Sequence, residues 1–166
     1  FYADSSSFGK SIIGMKDENG NQIKLIAIVN YGVNYANAGF AQGSNQTGYF
    51  IFGNGDGRTS TSFAVGLDIV AHEYQHAITT NIKDLKYSGE SGGLNEAYSD
   101  MFGAVIEGKG ISSSDFWRMG EDIVIEDGQF YRDLSNPKNP YAVTNQSIYC
   151  VDNYSEALEL ISDLGT

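Results

Sequence analysis

Residues 71 to 76 read AHEYQH and contain both histidines of the chain. On an α-helix, residues i and i+4 stand one above the other on one face, so His72 and His76 can share one ion. Neutral imidazole suits zinc, and a pair fixed on a helix supplies two of the three protein ligands usual at a catalytic zinc, with water in the fourth position. Glu73 is turned about 100° from His72 by the helical pitch, so it flanks the ion instead of facing it. There it can accept a proton from the water as that water attacks a carbonyl. A third ligand should come from an element packed against this helix. The segment GGLNEAYSD, residues 92 to 100, offers Glu96 and Asp100, again four apart, with Glu107 further along the same stripe.

Two helices have to carry these residues, and the sequence predicts both. After the hydroxyls of STS at 60 to 62, suited to capping, the run FAVGLDIVAHEYQHAITT places Leu67, Val70, Ala71, Tyr74, Ala77 and Ile78 at helical spacing for a buried face. The polar stretch NIKDLKYSGESGG leads to a second helix expected from about Leu94 to Glu107, with Gly92 and Gly93 at its start. Leu94, Ala97, Met101, Val105 and Ile106 are its expected apolar surface. Upstream, IKLIAIVNYG (23–32) and TGYFIFGNGDG (47–57) read as strands of an antiparallel sheet closed by the GNGDG turn. Beyond Gly108 short helical and loop pieces alternate, NPKNP at 136 to 140 is a breaker, and YSEALELISDL at 154 to 164 reads as a terminal helix. The fold class expected is α+β, a single unit over residues 1–166, mainly β over 1–58 and mainly α over 59–166.

Composition limits what such a unit can do. The 166 residues are 41% hydrophobic and include 20 glycines, the profile of a folded globular chain rather than a disordered one. Twenty-one acidic residues against ten basic give a formal charge of −11, which repels phosphate backbones and anionic lipid, so neither nucleic acid nor a membrane is an expected partner. The longest aliphatic run, Ile23 to Val29, is far too short to span a bilayer. Cys150 is the only cysteine, which excludes an internal disulfide. The chain opens at Phe1 without methionine, and a processed or excised piece of a longer protein is the expectation.

HEYQH, followed twenty residues later by the glutamate of GGLNEAYSD, resembles the thermolysin-like neutral zinc metalloproteases. The likeness extends through VNYGVNYANAGF, FGNGDG, GLDIVAHEYQHAIT, MFGAVIEGKG and the WRMGED segment, over about residues 20 to 137. It implies a secreted endopeptidase acting on peptide or protein substrates, with zinc on His72, His76 and Glu96 and with Glu73 as general base. By the same resemblance Asp100 orients a ligand imidazole, Tyr87 binds the tetrahedral intermediate, Asn37 and Ala38 pair with the substrate backbone, and Arg132 binds a substrate carbonyl. Asp68, Glu107 and Glu121, with Asp115 as a further member, match a calcium cluster, and Arg118 stands where double-calcium members carry an acid. A calcium-free salt bridge to Arg118 is the alternative there. A propeptide or a missing C-terminal segment is a further implied partner.

The chain departs from the family in two places. Gly39 interrupts the substrate-strand motif, and no third histidine exists to donate to the oxyanion. The helical domain that completes the cleft is expected to be truncated or divergent. The alternative to an active endopeptidase is a catalytically weakened zinc-binding domain kept for structure or for a partner.

Overall fold

The computed structural model describes residues 19–44, 47–82, 85–108, 114–143 and residue 155. Cys150 and nearly all of the expected terminal helix at 154–164 lie outside the described residues. Among the described residues the order is three strands, two long helices, then a short 3-10 turn and a two-stranded ribbon. The strands are β1 (Leu25–Tyr31), β2 (Ala38–Gln42) and β3 (Gly48–Gly53), and the helices α1 (Leu67–Ile82) and α2 (Gly89–Glu107). Ser114–Trp117 forms the 3-10 turn, and β4 (Arg118–Met119) pairs with β5 (Arg132–Asp133). The class is α+β, a sheet followed by helices, as its sequence predicts.

The sheet itself is mixed and not purely antiparallel. Its strand order is β1-β3-β2, with β3 antiparallel to β2 and parallel to β1. Two chain reversals separate β1 from β3, so β3 runs in the direction of β1 and takes the central place between the two earlier strands. The pattern of β3 explains why it is central: Phe50 and Phe52 alternate onto one face and are buried, while Tyr49 and Ile51 are only half-covered. GNGDG does not close the sheet; it leads away from it. The Asp56 Oδ1 accepts the backbone N–H groups of Arg58, Thr59 and Ser60 at 2.8–3.0 Å, and Gly55 takes φ 75° where an added Cβ would lie 2.3 Å from the Ser60 carbonyl oxygen.

Phe50, Phe52, Phe63, Ile69, Ala77, Ile78 and Ile123 form the core between the sheet and α1, with Phe50 stacked on Tyr74 at 5.9 Å. Each buried large apolar side chain contributes about 1.5–3 kcal/mol. The hydroxyls of 60 to 62 do not cap α1: Ser60 is buried in a bridge to Val124, and Ser62 caps a turn, its Oγ accepting from the Ala64 N–H. The helix begins at Leu67, itself exposed, with Val70 N–H reaching the Gly66 carbonyl at 3.1 Å. α1 is covered on most sides, by α2, β2 and β3, which is why polar residues such as Gln75 and Thr79 are buried on it.

α2 differs more from its sequence reading. It starts at Gly89 after an extended Ser88, so Gly92 and Gly93 lie inside it rather than at its beginning. Its buried residues are Gly92, Asn95, Ser99, Asp100, Gly103 and Ala104, whereas Leu94, Met101 and Val105 are exposed. The small and polar face packs inward because the two helices approach closely. A Cβ on Gly103 would stand 2.8 Å from the Asp68 carbonyl oxygen.

Candidate metal centre

α1 and α2 meet where the sequence places its chemistry. His72 and His76 project from α1 toward Glu96 of α2, with His72 Nε2 to Glu96 Oε2 at 3.3 Å and His76 Nε2 to Glu96 Oε1 at 3.4 Å. The two Nε2 atoms are 3.0 Å apart. These three residues offer ligand atoms within 4.8 Å of one another.

The outer nitrogens decide what the inner ones can do. His72 Nδ1 lies 2.8 Å from Asp100 Oδ1, and His76 Nδ1 lies 2.9 Å from Asn95 Oδ1 and 3.1 Å from Ser99 Oγ. The carboxylate and the amide oxygen can only accept, so each Nδ1 carries a hydrogen and each Nε2 presents a lone pair. Two lone pairs and a carboxylate face one another at hydrogen-bonding distance, an arrangement that repels itself unless a cation enters. Imidazole, imidazole and carboxylate are zinc ligands, and two of them on a tetrahedral ion stand roughly 3.3 Å apart, so the donor set fits.

The surrounding carboxylates favour positive charge at the same point. Burial weighs against charge on His72, but its bonds to Asp100 and Glu96 outweigh that and lift it to about 9. Burial lowers His76, and the nearby His72 charge lowers it further. Glu96 is opposed by burial yet brought down to about 2 by the hydrogen bonds of His72 and Tyr87.

Glu73 is buried beside the pair, and its Oε2 has no hydrogen-bond partner among the described residues. Burial pushes its carboxyl up to about 7. Tyr87 is exposed, donates its hydroxyl hydrogen to Glu96, and is raised to about 12 chiefly by that bond. Arg132 is engaged with Asp100: Nε to Oδ2 at 2.9 Å and Nη2 to Oδ1 at 2.6 Å. Asn37, Ala38, Glu73, Tyr87, Glu96 and Arg132 line one open cleft of ≈ 780 Å³. Among the described residues β2 pairs with β3 alone, and it borders this cleft as a sheet edge.

A second group lies at the far end of α2. Asp68, Glu107 and Glu121 also bring ligand oxygens within 4.8 Å of one another. Burial raises all three, and nearby acids add to it, Asp122 at Asp68 and Asp68 itself at Glu107 and Glu121; Glu107 reaches about 8. Glu121 Oε2 is buried without a partner, so the cluster, like the first, suits a cation, here a hard one. The salt bridge weighed as the alternative forms elsewhere. Arg118 pairs with Asp115 and lies 4.8 Å over the Phe130 ring, which also takes Asp115 out of the cluster. Its guanidinium reaches the acid three residues back, not Glu121 three residues ahead.

Sequence reading passed over Asn95 and Ser99. The signal available was their place one helical turn apart on the buried face of α2, beside Glu96 and Asp100.

Two domain profiles match the chain. That of the thermolysin metallopeptidase catalytic domain covers residues 5–80, and that of the thermolysin metallopeptidase alpha-helical domain covers residues 83–163. Bacillolysin of Bacillus cereus is 44% identical over 115 residues, 68% of this chain and 19% of that protein. Thermolysin of Alicyclobacillus acidocaldarius is 38% identical over 130 residues, 77% of this chain and 23% of that one. The chain thus spans about a fifth of the length of these curated relatives. The solved precursor of protealysin, a metalloproteinase from Serratia proteamaculans, matches with TM-score 0.58 and 25% identity over 79% of this chain and 39% of its own. With HEYQH and Glu96 converging on one point and both domain profiles matched in order, the chain belongs to the thermolysin metallopeptidase family, of which it carries a part.

Proposed function

We propose that this chain is the zinc-binding core of an endopeptidase that hydrolyses peptide bonds with Glu73 as general base. The observation that carries it is the pair of facing Nε2 lone pairs closed by Glu96, with the partnerless Glu73 carboxylate oxygen alongside. His72, His76 and Glu96 hold the ion, which supplies Lewis acidity to the cleft. Glu73 accepts the proton of the attacking water and delivers it to the leaving amine. Asp100 fixes the His72 tautomer. Tyr87 donates to the oxyanion, the edge of β2 at Asn37 and Ala38 pairs with an extended substrate, and the remaining N–H groups of Arg132 meet a substrate carbonyl.

Asp68, Glu107 and Glu121 hold calcium on this reading. The chain acts as one unit, 1–58 mainly β and 59–166 mainly α, with the family's helical domain truncated or divergent. It is secreted, as the family resemblance implies, and a propeptide or a further C-terminal segment is its expected partner. Among the described residues no helix is long and apolar enough to cross a membrane.

The absence of a third histidine favours a second reading, a zinc-binding domain with weakened catalysis. Native mass spectrometry of the chain and of Glu96→Ala, run beside a peptide-hydrolysis assay, tests both. One zinc per chain, lost in the variant, with measurable hydrolysis supports the endopeptidase. Zinc without hydrolysis supports the second reading, and full zinc occupancy in Glu96→Ala overturns the ligand set.

A further inference from the structure

We propose that Arg132 is a positioning residue for the zinc site, fixing Asp100 so that Asp100 fixes His72. This rests on the zinc reading above and goes beyond it by giving an arginine of the substrate cleft a role in metal affinity.

The argument begins with the carboxylate of Asp100. It has two oxygens and stands between three elements: its own helix α2, His72 on α1 and Arg132 on β5. A carboxylate held by one imidazole N–H can still rotate about its χ2, and with it the bond that aligns the ring. Here the guanidinium takes the whole outer edge, Nε on Oδ2 at 2.9 Å and Nη2 on Oδ1 at 2.6 Å. That two-point grip fixes the plane of the carboxylate. It leaves Oδ1 directed at His72 Nδ1, 2.8 Å away. Asp100 is buried, so a loosened carboxylate would have no bulk water to replace the lost donors.

His76 is held differently. Its Nδ1 faces the neutral Asn95 and Ser99, for which the described residues show no charged partner other than the imidazole itself. The two ligand imidazoles are therefore unequal, and the arginine acts on His72 alone. A lysine could supply the charge at 132 but not the planar fork.

Zinc affinity of the full chain, measured by competition with a chromogenic chelator, tests this without any need for turnover. Outer partners of metal-bound histidines typically contribute 10- to 100-fold in metal affinity. Asp100→Asn should fall in that range, and Arg132→Lys should weaken zinc by about tenfold despite keeping its charge. The combined variant should bind no more weakly than Asp100→Asn alone, because the arginine works through the aspartate. Circular dichroism of each variant checks folding, and Arg132→Gln replaces the lysine variant if the latter is unfolded. Unchanged affinity in the folded Arg132 variant overturns the proposal, as do losses that simply multiply in the double variant. A wild-type chain that takes up no zinc overturns the zinc reading itself, an outcome distinct from either of these.

Discussion

The hydrogen bonds on the outer nitrogens of His72 and His76 do as much to define the site as the histidines themselves. HEYQH was legible because i and i+4 on a helix must share a face, and because a glutamate next to the first histidine has an obvious task. Asn95 and Ser99 were not legible. Neither residue type carries a spacing signature, and each becomes a ring-orienting partner only once α2 is laid against α1. Arg132 was legible as a polar residue of the cleft but not as the partner of Asp100, since the two lie 32 positions apart, one within α2 and the other on β5. At Glu73 the proposed chemistry makes a sharp prediction. Glu73→Gln keeps the shape of the side chain and removes its ability to take a proton. Zinc content by mass spectrometry should be unchanged while kcat for a blocked peptide falls by about 10² to 10⁴. Turnover close to wild type would assign the base to another group.

The main surprise at the level of elements is that α2 turns its small, polar side inward. A periodicity argument assigns apolar residues to the core, and it fails here because close helix approach selects for a small residue at Gly103 while buried polar residues of α2 face the histidines. The sheet was readable as strands but not as a topology, because nothing in the residues of β1 says whether its neighbour runs with it or against it. The acidic cluster joins the same elements at their other end: Asp68 from α1, Glu107 from the last turn of α2, and Glu121 just after β4. Glu107 titrates near 8 in the fold against 4.5 ordinarily, so between these values the folded chain holds a proton that the unfolded chain has released. Stability of the chelator-treated chain should therefore fall as pH rises from about 4.5 to about 8, the reverse of a salt-bridged carboxylate. Millimolar calcium should raise the melting temperature, most strongly at the alkaline end, because a ligand bound only by the folded state stabilises it. Glu107→Gln should flatten the pH dependence without metal and weaken the calcium response. Melting curves that coincide with chelator and with calcium at pH 8 would remove the cluster from the list of cation sites.

Across the whole molecule, the proposed hydrolysis depends on how many donors surround the developing oxyanion. A negative charge at the reacting carbonyl is stabilised by the metal and by positioned hydrogen-bond donors, and losing one such donor typically costs about 2.7–4 kcal/mol, or roughly 10² to 10³ in rate. The chain has only two histidines, and both are placed against Glu96. The positions where a distal histidine would be sought, Ile148 and Asp152, lie outside the described residues but carry no imidazole in any case. Arg132 is held by Asp100 through two of its nitrogens, and Tyr87 is the donor assigned to the oxyanion on the proposed reading. On the proposed reading, substrate pairing along β2 does not need the missing group, because a strand edge recognises backbone. The deficit should therefore appear in kcat and hardly at all in KM. Against bacillolysin of Bacillus cereus on the same blocked dipeptide, the zinc-loaded chain is expected to turn over about 10² to 10³ times more slowly with a KM within a fewfold. A kcat equal to that of bacillolysin would mean that another group of this chain supplies the second donor, and a KM raised in proportion would mean that the cleft itself is incomplete.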